Sequence, residues 1–377
     1  MRLIELQNES DSLQACAAAG RSVADGNLRG WAALVTPAEP ILLEGLRQSG
    51  LVVLQGSRGA LALGSFAQIW LAARSLADAL EREPLRDAAK ELMRRAANIE
   101  SPAPGSAWKL PRSRLPEGRT LLMGIVNATP DSFSDGGAYD PLAHALKLAE
   151  EGADILDVGG ESTRPGAPPV DAAEERRRTE PVIRELARRT RLPISIDTTK
   201  AAVAAAALDA GAEIVNDVSG LARDPEMFRA ASGAAVCLMH MRGTPADMQS
   251  RATYSDLHGE VAQELTEALE RAQAAGIPDD RIALDPGLGF AKTGVQNLTL
   301  LRRLREHTQL GRPLVVGASR KSFIGVATGR PAPERLFGSI AAAVIAASNG
   351  ASVSRVHDVK ATREALAVAD AVRRSGA

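Results

Sequence analysis

The chain has 377 residues, longer than an average domain, with 45 Lys and Arg against 46 Asp and Glu and a formal charge of −1. So even a balance supplies no global field for nucleic acid or an anionic membrane surface, and any anion site must be local. Cys16 and Cys237 are too few for a disulfide framework and lack zinc-type spacing, and neither a signal-peptide pattern nor a run of roughly 18 apolar residues occurs, so a soluble cytoplasmic protein is expected.

Residues 1–100 offer candidate strands at 30–35, 50–54 and 60–63 and amphipathic helices near 40–48, 66–80 and 85–97, which suits a small α+β domain. It contains no histidine, and Gly56-Ser-Arg-Gly59 reads as a hairpin turn in preference to a phosphate loop. Its role is not legible. Residues 101–118, rich in Pro and Ser, read as a linker.

From 119 to 377, apolar runs at 121–127, 153–160, 192–198, 212–218, 234–240, 281–287, 313–319 and 352–359 read as strands. They alternate with helical segments at 141–152, 171–190, 199–211, 225–232, 255–276, 295–305, 335–350 and 360–373, several ending at Gly, as a left-handed helix C-cap favours. Continuous Val/Ile/Leu runs are the mark of parallel strands buried on both faces. Eight such βα units predict an α/β fold: a (β/α)8 TIM barrel preceded by the small α+β domain.

Nearly every run ends on a group that can do chemistry, and barrel active sites sit at the C-terminal ends of the strands. The first leads into a long loop, 127–137. Asn127 at its start offers the neutral oxygen that Mg²⁺ accepts beside phosphates and waters, or else a hydrogen bond that holds the loop. Asp131 and Asp135 either order that loop or are solvated by water. The second run leads into Gly159-Gly-Glu-Ser-Thr163-Arg164-Pro165-Gly166, whose arginine suits a carboxylate or phosphate, or plain solvent.

Asp197 and Asp285 emerge from continuous apolar runs, so each must be paired, either by a cation from a neighbouring strand or by a ligand with adjacent N–H donors such as an aminopyrimidinone edge. Asn216, donor and acceptor at once, suits the same edge. Lys321, after the seventh run, is a Schiff-base nucleophile or a hydrogen-bonding electrophile. Arg355 and His357 alternate onto one face of the eighth strand, where barrels bind phosphate, and with Asn127 they read as a diphosphate and Mg²⁺ clamp. Arg335, His258 and His307 read as surface residues, and Cys237 as a small buried one.

The segments Met123-Gly-Ile-Val-Asn127-Ala-Thr-Pro-Asp-Ser-Phe133-Ser-Asp-Gly-Gly137, Asp157-Val-Gly-Gly-Glu-Ser-Thr-Arg-Pro-Gly166, Ile196-Asp-Thr198, Val215-Asn-Asp217, Leu238-Met-His-Met241, Leu284-Asp-Pro-Gly-Leu-Gly-Phe290, Ser319-Arg-Lys-Ser322 and Arg355-Val-His-Asp-Val359 resemble, in order and spacing, the dihydropteroate synthase family. The resemblance spans about residues 120–370. It implies condensation of 6-hydroxymethyl-7,8-dihydropterin diphosphate with 4-aminobenzoate, giving 7,8-dihydropteroate and pyrophosphate in folate synthesis.

It further implies that Asp197, Asn216, Met239, Asp285 and Lys321 hold the pterin, and that Asn127, Arg355 and His357 bind the diphosphate, with Asn127 on Mg²⁺. Phe133, Thr163, Arg164, Pro165, Phe290 and Ser322 would shape the aminobenzoate site. The catalytic set would be Lys321, Asp197, Asp285, Arg355 and His357. Sulfonamides would target the site, and the protein would be a homodimer packed through exterior helices such as 335–350. A pterin-binding methyltransferase of the same barrel type should lack the Thr-Pro-Asp-Ser-Phe-Ser loop and the Ser-Arg-Lys segment, and a non-catalytic pterin-binding barrel should lack some of these contacts. No substrate contact of either kind is missing.

Overall fold

The computed structural model describes residues 1–6, 9–19, 30–36, 38–80, 83–129, 140–164 and 166–375. They form two compact units, one of Met1–Pro102 with Arg305–Gly311, the other of Ala103–Leu304 with Arg312–Ala377.

The first unit is α+β. Strands β1 (Arg2–Leu6), β2 (Gly30–Val35), β3 (Val52–Gln55) and β4 (Ala60–Gly64) make an antiparallel sheet in the order β1-β2-β4-β3. Helices α1 (Glu9–Ala18), α2 (Pro40–Gln48), α3 (Phe66–Ala79) and α4 (Glu83–Glu100) accompany it. In α4, Leu85, Ala89, Leu92, Ala96 and Ile99 recur every three or four residues and bury one stripe against the sheet core. β3 and β4 are a hairpin, and Gly56 N–H donates to Gly59 O at 2.8 Å across the turn.

The sequence reading missed β1 and α1. It also placed 305–311 within the barrel, whereas this stretch completes the first unit. Gln309 meets the backbone of β1 from both sides, its Oε1 accepting from Leu3 N–H at 3.1 Å and its Nε2 donating to Leu3 O at 3.2 Å. Glu306 accepts from Glu5 N–H at 2.8 Å. The outer edge of β1 is thereby satisfied by side chains instead of another strand, which removes an exposed sheet edge.

The second unit is an eight-stranded parallel barrel. Its strands are β5 (Leu121–Asn127), β6 (Ile155–Gly159), β7 (Ile194–Asp197), β8 (Ile214–Asp217), β9 (Ala235–Met239), β10 (Ile282–Asp285), β11 (Val315–Val316) and β12 (Val353–Val356). Hydrogen bonding runs β10-β9-β8-β7-β6-β5-β12-β11, and a parallel bridge between Leu284 and Leu314 joins the two ends of that order. Helices α5 (Pro141–Glu150), α6 (Ala172–Arg189), α7 (Ala201–Ala210), α8 (Met227–Ala231), α9 (Leu257–Ala274), α10 (Gly294–Arg302), α11 (Ser322–Thr328), α12 (Leu336–Ser348) and α13 (Val359–Ser375) follow the strands. All but α11 were expected. Gly152 and Gly211 end α5 and α7 with φ of 96° and 122°, a backbone that L side chains adopt with strain, which explains the repeated Gly-Ala step into β6 and β8.

The Pro-rich segment expected as a linker belongs to the barrel from Ala103 onward. Trp108, 1% exposed, packs against Leu121, Ile155, Ile214, Ala283 and Val353 at the N-terminal ends of the strands. Its indole N–H donates to Arg281 O at 3.0 Å, Lys109 N–H to Asp280 O at 2.7 Å and Arg112 N–H to Glu213 at 2.7 Å. A barrel floor needs such a cover, because its apolar layer would otherwise face water. His258 and His307, expected at the surface, are buried at 1% and 0% exposure.

Trp108→Ala should lower the unfolding free energy by about 3–5 kcal/mol, as loss of a buried aromatic side chain does. Equilibrium denaturation in urea checks this, and substrate KM values measured well below the melting temperature should stay near those of the parent.

Candidate functional site

Parallel register delivers the polar strand ends side by side. Asn127 lies opposite Gly159, Gly159 opposite Asp197, and Asp197 opposite Asn216, while Asp285 lies opposite Met239. The surrounding runs are apolar and buried, so the carboxylates sit where water is scarce.

At the centre is Arg355, on β12. Its Nε donates to Asp157 Oδ2 at 2.6 Å and its Nη2 to Asp197 Oδ2 at 2.7 Å. Asn216 Nδ2 adds a hydrogen bond to Asp157 Oδ2 at 3.2 Å. One guanidinium therefore serves two carboxylates. Burial, with the negative charges of Asp157, Glu175 and Asp217 acting against Arg355, pushes Asp197 up to about 7. Asp217, wholly buried, is pushed up to about 6 by burial against the hydrogen bonds of Ser219. Asp157 Oδ1 and Asp217 Oδ2 have no hydrogen-bond partner among the described residues, so the site holds acceptor capacity beyond what the protein uses.

Asp285, at the end of β10, is held by Gly287 N–H at 2.7 Å, and burial raises its pKa against the attraction of Lys321. Lys321 precedes α11. Its Nζ donates to Leu288 O and lies 4.6 Å from the centroid of the Phe290 ring. Burial pushes this ammonium down to about 8, with Asp285 opposing and Arg355 adding to the fall. Met239 and Phe290 share one apolar cluster with Val218, Met248 and Ala291, a greasy wall beside the charged groups.

The turn that carries Lys321 is strained. Arg320 has φ of 58°, uncommon for a side chain of its size, and the surroundings hold it there. Its guanidinium pairs with Asp358 at 2.6 Å, its N–H donates to Ser339 Oγ at 2.9 Å, and its carbonyl accepts from Arg335 Nη1 at 3.0 Å. Arg335, expected as a surface charge, is a clamp on this turn and also donates to Lys321 O at 3.3 Å. Ser322, the first residue of α11, is exposed.

His357 stands just beyond β12, its Nδ1 3.0 Å from Ser319 Oγ. Burial, with Arg320 and Arg355 nearby, pushes it down to about 3, so it is a neutral hydrogen-bonding group at physiological pH. The Arg355 guanidinium, two residues before it, is drawn inward by two aspartates. Asn127 is half-buried at the end of β5.

The loop after β6 is tied at its base. Lys200 Nζ meets Glu161 and Glu175 at 2.5 Å each, and Arg178 donates to Gly160 O at 2.9 Å. Above this anchor Thr163 is half-buried and Arg164 exposed. A cavity of about 20 Å³, room for one water molecule, is lined by Thr163, Asp197, Thr198 and Glu175. Phe133, Asp131, Asp135 and Pro165 lie outside the described residues.

The pterin binding enzyme family profile matches residues 123–357. The chain is 49% identical over 263 residues to the dihydropteroate synthase of Synechocystis sp., covering 68% of this chain and 91% of that protein. The chain belongs to the dihydropteroate synthase family. Its barrel is similar to the Yersinia pestis dihydropteroate synthase solved with a sulfonamide drug, with a TM-score of 0.68 and 44% identity over 71% of this chain and 98% of that one. It is also similar to the Xanthomonas albilineans dihydropteroate synthase solved with 4-aminobenzoic acid, with a TM-score of 0.64 and 48% identity over 68% and 93% of the two chains. The latter enzyme has also been solved with 7,8-dihydropteroate.

Two groups in this family site escaped the sequence reading. Asp157 stood within a motif but was not read as the second partner of Arg355. Lys292 drew no notice, although a lone lysine two residues past an apolar, glycine-rich turn is a signal that could have found it.

The shared arginine makes the site's pH response testable. Asp197 is raised above its unfolded value, so its contribution to stability is full below about pH 4 and is lost as pH rises toward 7. The stability of Asp197→Asn relative to the parent should therefore improve progressively between about pH 4 and 7, as read from urea unfolding at each pH. A constant difference across that window would contradict the raised carboxyl.

Proposed function

We propose that the C-terminal end of the barrel joins 6-hydroxymethyl-7,8-dihydropterin diphosphate to 4-aminobenzoate, with each buried polar strand end serving one part of the two substrates. The observation that carries this reading is the convergence of Asp285, Asn216 and Lys321, the first two 5% exposed and the third half-buried, at the mouth of a barrel of this family. A pterin edge would offer N–H donors to Asp285 and Asn216, and its carbonyl oxygen would receive the Lys321 ammonium now resting on Leu288 O. Met239 would pack on the ring face and Asp197 would lie at its rim.

Arg355, His357 and Asn127 would hold the diphosphate. Arg355 must exchange a carboxylate for phosphate oxygens, and the raised pKa of Asp197 eases that exchange, since Asp197 can take a proton as the guanidinium moves. His357 would contribute a hydrogen bond. No group of three or more His, Cys, Asp or Glu side chains able to hold a metal occurs among the described residues. Mg²⁺ needs no such cage, because one neutral oxygen with phosphate oxygens and waters suffices, and Asn127 fits that part. When bound, Mg²⁺ would neutralise charge building on the leaving diphosphate.

In the reaction the C–O bond to diphosphate breaks, the pterin's electron-rich ring stabilises the methylene cation, and the aminobenzoate nitrogen forms the new C–N bond and loses a proton. An arylamine is unprotonated at neutral pH, so no dedicated base is required. Thr163, Arg164 and Pro165 from one loop, Phe133 from another, and Phe290 with Ser322 would form the aminobenzoate site and keep water from the cation. A sulfonamide, an arylamine itself, would occupy the same place. Cytoplasmic location is part of the same proposal and rests on the family alone.

A homodimer is also proposed. Phe337 on α12 and Val326 on α11 are 82% and 75% exposed, and Ile345 lies two turns on from Phe337. An apolar patch of this kind on neighbouring helices favours a self-complementary contact. Phe337→Glu should shift the sedimentation velocity of the protein from dimer to monomer.

Purified protein with the pterin diphosphate and Mg²⁺ should release pyrophosphate only when 4-aminobenzoate is present, with dihydropteroate identified by mass. Lys321→Ala should lower kcat/KM at least about 100-fold while the far-ultraviolet circular dichroism is unchanged, in line with losing a charged hydrogen bond worth about 3 kcal/mol. Near-parent turnover in that variant would remove Lys321 from the site.

A further inference from the structure

Beneath the pterin-facing turn lies a chain of ionisable groups that touches no proposed substrate atom. Lys292, 2% exposed, sends its Nζ to three acceptors: Phe290 O at 3.0 Å, Gly287 O at 3.1 Å and His240 Nδ1 at 2.9 Å. An ammonium has three N–H donors, and each has a partner here. With Lys292 as an ammonium, which can only donate, Nδ1 is the acceptor, and this places the His240 proton on Nε2, 3.0 Å from Glu264 Oε2. Glu264 in turn receives Arg242 Nε at 2.9 Å, and Arg242 also binds Glu260 at 2.8 Å. Glu264 is 34% exposed, so the chain runs from the surface to the base of the site.

The turn that Lys292 grips has no regular secondary structure. Gly287, Gly289 and Ala291 have φ of 71°, 85° and 50°. A Cβ on Gly287 would come within 2.0 Å of His240 O, and one on Gly289 within 3.0 Å of the Lys321 side chain. Asn297 accepts from Gly289 N–H at 2.6 Å and Tyr254 donates to Ala291 O at 3.0 Å. The same turn offers the Leu288 carbonyl and the Phe290 ring between which the Lys321 ammonium lies.

We propose that Lys292 is a positioning residue for the synthase reaction: with His240 and Glu264 behind it, it fixes the 287–291 turn so that Leu288 O and the Phe290 ring set the place of the Lys321 ammonium. The inference rests on the role assigned to Lys321 above. Buried charge of this kind must be fully partnered to persist, and here the partners are the backbone carbonyls whose geometry matters. Removing the ammonium frees two carbonyls of a strained turn, which then relaxes away from Lys321.

Lys292→Met, similar in length and uncharged, is the direct test, with affinity for the pterin diphosphate measured by calorimetry in Mg²⁺ without aminobenzoate. Its dissociation constant should rise at least about tenfold, and turnover should fall, in protein whose circular dichroism matches the parent. His240→Leu should act like Lys292→Met, whereas His240→Asn, which keeps an acceptor near the Nδ1 position, should stay within about threefold of the parent. Parent-like pterin affinity in Lys292→Met, with only a lowered melting temperature, would overturn the proposal. Should that variant fail to fold, equal affinities in His240→Leu and His240→Asn would overturn it as well. Lys321→Ala, run alongside, separates the two readings: if it binds pterin normally, the assignment of Lys321 fails; if it alone loses binding, the positioning role of Lys292 fails.

Discussion

One arginine between two aspartates organises the top of this barrel. Asp157 and Asp197 stand on adjacent strands in a layer too dry to leave a carboxylate unpaired, and among the described residues the Arg355 guanidinium reaches both. Two negative charges against one positive leave a residual field at the mouth, and the neighbouring Asp217 and Asp285 deepen it. That field makes Lys321 useful on the far side and leaves Asp197 able to gain a proton near neutrality. A barrel filled only with Val and Leu would be more stable in this layer and would have nothing with which to hold a polar heterocycle.

The barrel was legible because its strands are continuous apolar runs, and their order fixed the place of each polar ending. β5 has the bounds expected of it, whereas β11 is reduced to Val315–Val316, since the rest of that run is spent on the turn leading to Lys321. What the residues could not convey is which partner each charge chooses. Arg355 and His357 lie two apart at the end of the eighth barrel strand, yet the first is pulled into the barrel by Asp157 and the second is held against Ser319. Arg335 looks like a helix-surface charge in the sequence, and only the strained Arg320 turn, a tertiary feature, gives it carbonyls to hold. His258 and His307 carry no periodic signature strong enough to separate a buried histidine from a solvated one.

The N-terminal region shows the limit differently. Its later helices and its hairpin announced themselves through spacing and through Gly56 and Gly59, but β1 is five residues long and, among the described residues, pairs with β2 alone. Its other edge is satisfied by Gln309 and Glu306, more than 300 residues away in sequence, and no local pattern reports so distant a partner. The Pro-rich stretch after residue 102 misled for a related reason. Proline and serine mark an absence of regular structure, and Trp108 shows that irregular chain can still be core.

The heptapeptide 305–311 bears on how such a chain can be assembled and rearranged. A unit in space is here written in two places in the gene, the second of them in the middle of the barrel's reading frame. Fusion or exchange at a single breakpoint near residue 102 would transfer an incomplete fold, whose first strand lacks its side-chain partners. Inheritance of the N-terminal unit is thereby coupled to the barrel sequence between α10 and β11, so that a change in that short stretch can alter a structure encoded three hundred codons earlier.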